Sequence, residues 1–309
     1  MIKRICCWLC ALIMTVSLLG TVEVMAFPPM EVEHPCSLTL HFTQNGIGFY
    51  QLEVRIYRVA EAFANGAFGL ITPFSNYPVN IHGITSQTEW KTIANTLSAY
   101  VTADQIQPTG TQITSEEGTA VFTQLKTGLY LVSGAVAQHE SGTYIFDSFM
   151  VYLPTPQDDG SLSYDVQAKP KCSNYTPATE YKVVKLWKDS GNEDKRPESV
   201  TVDILKDGVV QETQVLNAEN NWTYTWRTND ENSTWSVVEK DVPDTYTVTI
   251  DFNTDTFMIT NTRNAPIDIP QTGDTSNPWL YMIVMCLSGV ALLILGIGGR
   301  RGRKNEQKA

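Results

Sequence analysis

The chain has 309 residues, 42% of them hydrophobic and 18% charged, which supports packed cores and argues against wholesale disorder. Its 22 basic against 33 acidic side chains give a net charge of −11, a field that repels nucleic-acid backbones and excludes the basic-patch class of function. Four His and six Cys leave few parts for metal or triad chemistry, so neither a metal nor a cofactor is expected.

The chain opens with the basic stretch Met1-Ile2-Lys3-Arg4, an apolar run from Ile5 to Leu19, and Val24-Met25-Ala26 ahead of Phe27-Pro28-Pro29. Basic head, apolar middle and small residue at the cut describe a secretory signal peptide over 1–26, cleaved after Ala26. An uncleaved anchor helix is the alternative, for which the run is short. Strand patterns follow, separated by Gly, Pro, Asn and Asp turns. Ser37–Thr43 alternates with Leu38, Leu40 and Phe42 on one face, and further runs cover Gln51–Val59, Thr119–Thr123, Leu129–Ser133, Tyr144–Leu153 and Ser161–Ala168. A single helix interrupts them. Ser86-Gln87-Thr88-Glu89 reads as a capping box, and Trp90, Ile93, Ala94, Leu97 and Val101 recur at helical spacing, predicting a helix over 87–101 packed on the sheet.

This first β domain spans 36–171, and 172–180 reads as a linker. A second domain over 181–264, about 85 residues in some seven short strands, has the size of an immunoglobulin-like sandwich. The predicted fold is therefore all-β: two tandem immunoglobulin-like β-sandwich domains, the first with a helical insertion.

Three strands of the second domain each put a polar group on an apolar face. Lys185 shares a face with Tyr181, Val183 and Trp187; Glu239 with Trp235 and Val237; Asn261 with Phe257 and Ile259. A lone buried charge costs several kcal/mol, so the three are expected to cluster in one core. Desolvation lowers a lysine pKa and raises a glutamate pKa. A neutral Lys185 amine is a nucleophile, a protonated Glu239 can polarise the Asn261 carbonyl, and attack would expel ammonia and leave a Lys–Asn amide. A buried ion pair without covalent closure is the alternative. Lys185-Leu186-Trp187, Lys195-Arg196-Pro197, Asn220-Asn221-Trp222-Thr223-Tyr224, Val238-Glu239 and Ile259-Thr260-Asn261-Thr262 together resemble a Cna B-type domain. That resemblance implies a β-sandwich from adhesins and pilins of Gram-positive bacteria. It also implies a self-formed isopeptide between first and last strands, here Lys185 to Asn261, with Glu239 assisting.

At the other end, Ile269-Pro270-Gln271-Thr272-Gly273 and a spacer (265–278 in all) precede an apolar stretch over 279–298, long enough to cross a bilayer, and a basic tail over 299–309. The order resembles the LPXTG cell-wall sorting signal, with Ile269 in place of Leu. It implies that a sortase cuts between Thr272 and Gly273 and passes the threonyl group to a peptidoglycan precursor. The mature segment 27–272 would keep 15 of the basic and 30 of the acidic side chains, a charge near −15.

Tyr164-Asp165-Val166-Gln167-Ala168-Lys169-Pro170-Lys171 resembles the pilin motif, which implies that Lys171 accepts the preceding subunit's threonyl group. Leu162 and Lys169 depart from its aromatic positions, and the bland reading is a solvated linker lysine. The rest of 36–171 loosely resembles the N-terminal domain of sortase-anchored pilins, through Val54–Val59, Gly118–Phe122 and Gly128–Val132. Its first strand has no Lys and Ser133 stands where an acid would be wanted, so no isopeptide is predicted there. Cys36 and Cys172 flank the domain; an internal disulfide, pairing with another molecule and free thiols all stay open.

The sequence thus reads as an exported, wall-anchored pilin subunit of a Gram-positive bacterium. Its partners would be a sortase, the peptidoglycan precursor and other pilin subunits, with no nucleic acid. The alternative is a monomeric adhesin that binds a host protein or glycan through the first domain. No enzyme acting on an outside substrate is expected, because no nucleophile–base set, phosphate loop or hydrolase elbow is visible.

Overall fold

A computed structural model describes residues 30–264 apart from 141, 175, 177, 231 and 232. The predicted signal peptide with Ala26, the sorting motif Ile269–Gly273, the apolar stretch 279–298 and the basic tail lie outside the described residues. Among those described, no helix is long and apolar enough to cross a membrane.

The described chain is mostly β with one α-helix. Two short ladders aside, its N-terminal region comprises β1 (Cys36–His41), β2 (Glu53–Ala62), β3 (Phe68–Leu70), α1 (Gln87–Ala103), β4 (Gly110–Ile113), β5 (Thr119–Leu125), β6 (Gly128–Val132), β7 (Ala135–His139), β8 (Gly142–Phe146), β9 (Phe149–Leu153), β10 (Asp165–Ala168) and β11 (Cys172–Asn174). One sheet runs β10-β1-β5, a second β11-β8-β7, and a third β9-β6-β2-β3 with β4 also on β2. Between them lies a core of Leu38, Leu40, Phe42, Phe122, Tyr130, Phe146 and Leu153. All five residues of β6 are buried. Tyr130 and Val132 face that core, while Leu129 and Leu131 pack beneath α1 with Ile93, Ala94, Leu97 and Val101. A strand covered on both faces needs an unbroken apolar run, and Gly128-Leu129-Tyr130-Leu131-Val132 supplies one.

The predicted helix is present and carries its capping box: Ser86 accepts from the Glu89 backbone and Glu89 answers to the Ser86 backbone. The predicted strand over 144–153 is two strands in different sheets. The chain breaks at Asp147-Ser148, where Asp147 pairs with Lys91 of α1 at 2.9 Å and the Ser148 hydroxyl holds the Gly134 amide. Of the predicted linker, Cys172–Asn174 pair with β8.

The C-terminal region contains β12 (Glu180–Lys188), β13 (Ser199–Lys206), β14 (Val209–Asn217), β15 (Thr223–Arg227), β16 (Trp235–Lys240), β17 (Tyr246–Asn253) and β18 (Thr256–Arg263). They form two sheets, β15-β12-β18-β17 and β14-β13-β16. β12 and β18 run parallel, with Lys185 opposite Ile259 and Trp187 opposite Asn261. Between the sheets lie Tyr181, Val183, Val202, Ile204, Val237, Val248, Phe257 and Ile259. Asp207 and Gly208, both at positive φ, turn β13 into β14 as a tight hairpin demands.

The two regions belong to one compact unit. α1 joins them: beyond its N-terminal face, its Ala99 and Tyr100 belong to the C-terminal core.

Candidate functional site

β12 alternates along its length, so Tyr181, Val183 and Lys185 point inward while Glu180, Lys182 and Leu186 are exposed. The same alternation turns Val237 and Glu239 of β16, and Phe257, Ile259 and Asn261 of β18, into the same core. Lys185 is 3% exposed, Glu239 1% and Asn261 0%. Because Asn261 lies two residues beyond Lys185's partner on the neighbouring strand, the two side chains sit diagonally on one face.

Glu239 stands between the other two. Its Oε2 lies 3.7 Å from Lys185 Nζ, and its Oε1 accepts a hydrogen bond from Asn261 Nδ2 at 2.7 Å. The amine donates to its neighbour's carbonyl, Leu186 O, at 2.9 Å and rests 4.0 Å from the centre of the Trp187 ring. Two oxygens of the cluster, Glu239 Oε2 and Asn261 Oδ1, are buried without a hydrogen bond. Burial pushes the Lys185 amine down even though Glu239 beside it pulls the other way. It likewise pushes the Glu239 carboxyl up against the influence of Lys185 and Asn261. Both shifts favour the neutral pair, amine and carboxylic acid, over the ion pair.

The carboxyl thus meets the Asn261 amide nitrogen and not the carbonyl oxygen that the sequence led us to expect, and with its other oxygen toward the amine it is placed to relay a proton. The neutral amine can attack the Asn261 side-chain carbon. The carboxyl gives its proton to Nδ2, which leaves as ammonia, and takes back the one that the attacking nitrogen sheds. One C–N bond breaks, another forms, and the chain loses one ammonia, about 17 Da.

Around the amine is a second ring that the sequence pattern did not single out as a unit. Asp189, its side chain 1% exposed, accepts from Arg196 Nε at 2.8 Å and Nη2 at 2.6 Å and from the Tyr246 hydroxyl at 3.1 Å. Arg196 holds the Asp189 carboxyl below its usual range. Trp187 meets Trp222 and Tyr246 edge to face and closes the pocket above Nζ. Arg196 was visible in the Lys195-Arg196-Pro197 motif; its partner Asp189, in a turn after β12, had no signal of its own.

Residues 181–262 match the family model of the Cna protein B-type domain. The match spans β12 to β18 and all three residues of the cluster. A curated relative, the collagen adhesin of Staphylococcus aureus, is 33% identical over 123 residues. That alignment takes in 37% of this chain and 10% of the adhesin, so the chain spans about a tenth of the length of the curated relative it matches. Among solved structures, a single B repeat unit of the collagen-binding surface protein Cna of S. aureus aligns with 75% of this chain and 99% of its own, at 16% identity and a TM-score of 0.26. The full-length major pilin SpaD from Corynebacterium diphtheriae aligns over 76% and 65%, at 17% identity and 0.29. The SpaE basal pilin from Lactobacillus rhamnosus GG aligns over 72% and 85%, at 11% and 0.31.

Outside the B-type segment, Lys171 is exposed after β10 and lines a surface groove of about 480 Å³ with Phe68, Trp90, Phe149 and Tyr152. Cys36 and Cys172 are free thiols, and the internal disulfide is not formed. The register gives the reason. β1 and β10 run parallel, from Ser37–Asp165 to Leu40–Ala168, so Cys36 enters the pair at one end and Cys172 follows beyond the other. Roughly 13 Å of strand separates Cys36 from the last rung alone, against a Cα reach of about 7 Å for a disulfide. Burial also pushes the Cys36 thiol up to about 11.

Proposed function

We propose that this chain is a sortase-anchored cell-wall surface protein of a Gram-positive bacterium, acting as a structural pilin subunit whose C-terminal sandwich is locked by a self-formed Lys185–Asn261 isopeptide. The observation that carries the reading is the buried triad, with Glu239 facing the amine through one oxygen and the amide through the other. Such a cluster is costly as mere packing and makes sense as a single-turnover reaction site. The architecture we infer is two tandem immunoglobulin-like sandwiches in an exported chain, with no catalysis of an outside substrate. Thr272 would be the residue passed by the sortase to the wall precursor, and Lys171 the amine that receives another subunit's threonyl group; its exposure supports that role.

The test is a blot of cell-wall extracts boiled in detergent and reductant. A ladder of covalent multimers that collapses in a Lys171→Ala strain is expected. A single wall-linked band, unchanged by that substitution, removes the polymerising reading. It would leave a monomeric adhesin, the second reading, which the aromatic groove beside Lys171 favours as a place to hold a host protein or glycan.

A further inference from the structure

The C-terminal sandwich is open along one side. β16 ends one sheet and β17 ends the other, so a seam runs between two unpaired strand edges. Among the described residues no strand of that sandwich covers the seam; α1 of the N-terminal region packs on both edges. Thr96, fully buried, accepts the Ile250 amide of β17 at 2.7 Å while donating to Thr92 O of its own helix. The Val248 amide goes to Pro78 O at 2.7 Å. Across the seam the Tyr100 hydroxyl reaches the backbone oxygen of Glu239 on β16 at 3.4 Å. Tyr77 stacks on the Tyr100 ring at 4.6 Å and donates to Asp104.

Of the three reacting residues, Glu239 alone sits on an edge strand. Lys185 and Asn261 lie on β12 and β18, each flanked on both sides. What covers the edge therefore decides how dry Glu239 is. We propose that α1, chiefly through Tyr100, is a positioning element for the Lys185–Asn261 reaction: it seals the seam beside Glu239, so that the amide forms only once the N-terminal region has docked. This deepens the isopeptide reading and rests on it.

The chemistry explains the dependence. The reactive state holds a neutral amine and a protonated carboxyl, and water at the seam would favour the ion pair instead. The charged and titratable groups around the pair are Asp189 and Arg196 on the Lys185 side, and Tyr100, Tyr77 and Asp104 on the helix side. Lys240 and Asp203 pair at 3.6 Å and are partly open to solvent. Neutral amine with acid, and ion pair, contain the same number of protons. Wetting the seam therefore lowers the plateau of the rate against pH and also moves its acidic limb to lower pH, as Glu239 becomes a stronger acid. A variant that merely folds less well scales the rate and leaves the limbs in place.

The experiment uses the full chain, recovered unfolded in urea and diluted into detergent-containing buffer from about pH 4 to about pH 9, with bond formation followed by intact mass as the loss of about 17 Da. For Tyr100→Ala we expect a plateau rate lower by about tenfold, the equivalent of one pKa unit in the pair's equilibrium, and an acidic limb displaced downward. Tyr100→Phe keeps the ring over the seam and restores the wild-type profile. Wild-type rate in Tyr100→Ala, or a uniform fall with unmoved limbs, overturns the positioning role while leaving the bond intact. Absence of the mass loss in the wild type overturns the isopeptide reading itself, and this inference with it.

Discussion

Both β regions close on the same device, a parallel pair made from an early and a late strand, yet they fill it with opposite chemistry. In the N-terminal pair the inward residues are Cys36, Leu38 and Leu40 of β1 against Val166 of β10. In the C-terminal pair Lys185 and Asn261 take inward positions among Tyr181, Val183 and Ile259. Apolar filling of such a pair is plainly sufficient, because the first region is built that way. The polar filling of the second therefore asks for a reason other than stability of packing, and the proton relay proposed for Glu239 would supply one.

The sharpest way to break the comparison is Lys185→Ala. It prevents the amide, removing on the order of 4 kcal/mol of loop closure, and leaves a void beside the buried Glu239 carboxyl. A large fall in Tm together with an intact mass equal to the unreacted chain is expected. Glu239→Gln should come next: nearly the same shape, no relay, no mass loss, and a smaller fall in Tm. If Glu239→Gln still loses about 17 Da, the carboxyl is not the relay. Thr96→Val tests the junction between the regions. It strands the Ile250 amide at a cost of about 1–3 kcal/mol, which hydrogen exchange at that amide would register as lost protection.

Much of this was legible beforehand, and the failures have physical causes. Period-two alternation alone put Lys185, Glu239 and Asn261 on inward faces. The capping box and the Ile93, Ala94, Leu97 and Val101 stripe gave the helix and its N-terminal contact. The second contact of α1 was not legible, because Thr96, Ala99 and Tyr100 form no apolar stripe: a threonine that back-bonds to its own helix looks like an ordinary surface residue until the Ile250 amide is seen beside it. The run over 144–153 read as one strand because its apolar residues continue through Asp147-Ser148, where side-chain bonds to α1 and Gly134 turn the chain. Asp189 was hidden in a turn, where acidic residues are expected in any case.

Two smaller effects sharpen the contrast further. Arg196 lowers the Asp189 pKa below its ordinary value near 3.8, so this pair contributes stability above about pH 4 and loses it as pH falls through the folded value. Asp189→Asn should flatten the acid side of a Tm-against-pH curve. The smallest effect belongs to the thiols. With Cys36 and Cys172 free, adding reductant should leave Tm unchanged.

The parallel register of β12 and β18 has one more consequence, for a chain held at both ends. The chain enters β12 at Glu180 and leaves β18 at Arg263, at opposite ends of two adjacent strands. A pull on those two points slides one strand along the other and loads the rungs from Lys182–Thr256 to Lys188–Thr262 together rather than one after another. The line of force then runs past Lys185 and Asn261, where a single amide would carry the load before any rung of the ladder had to give.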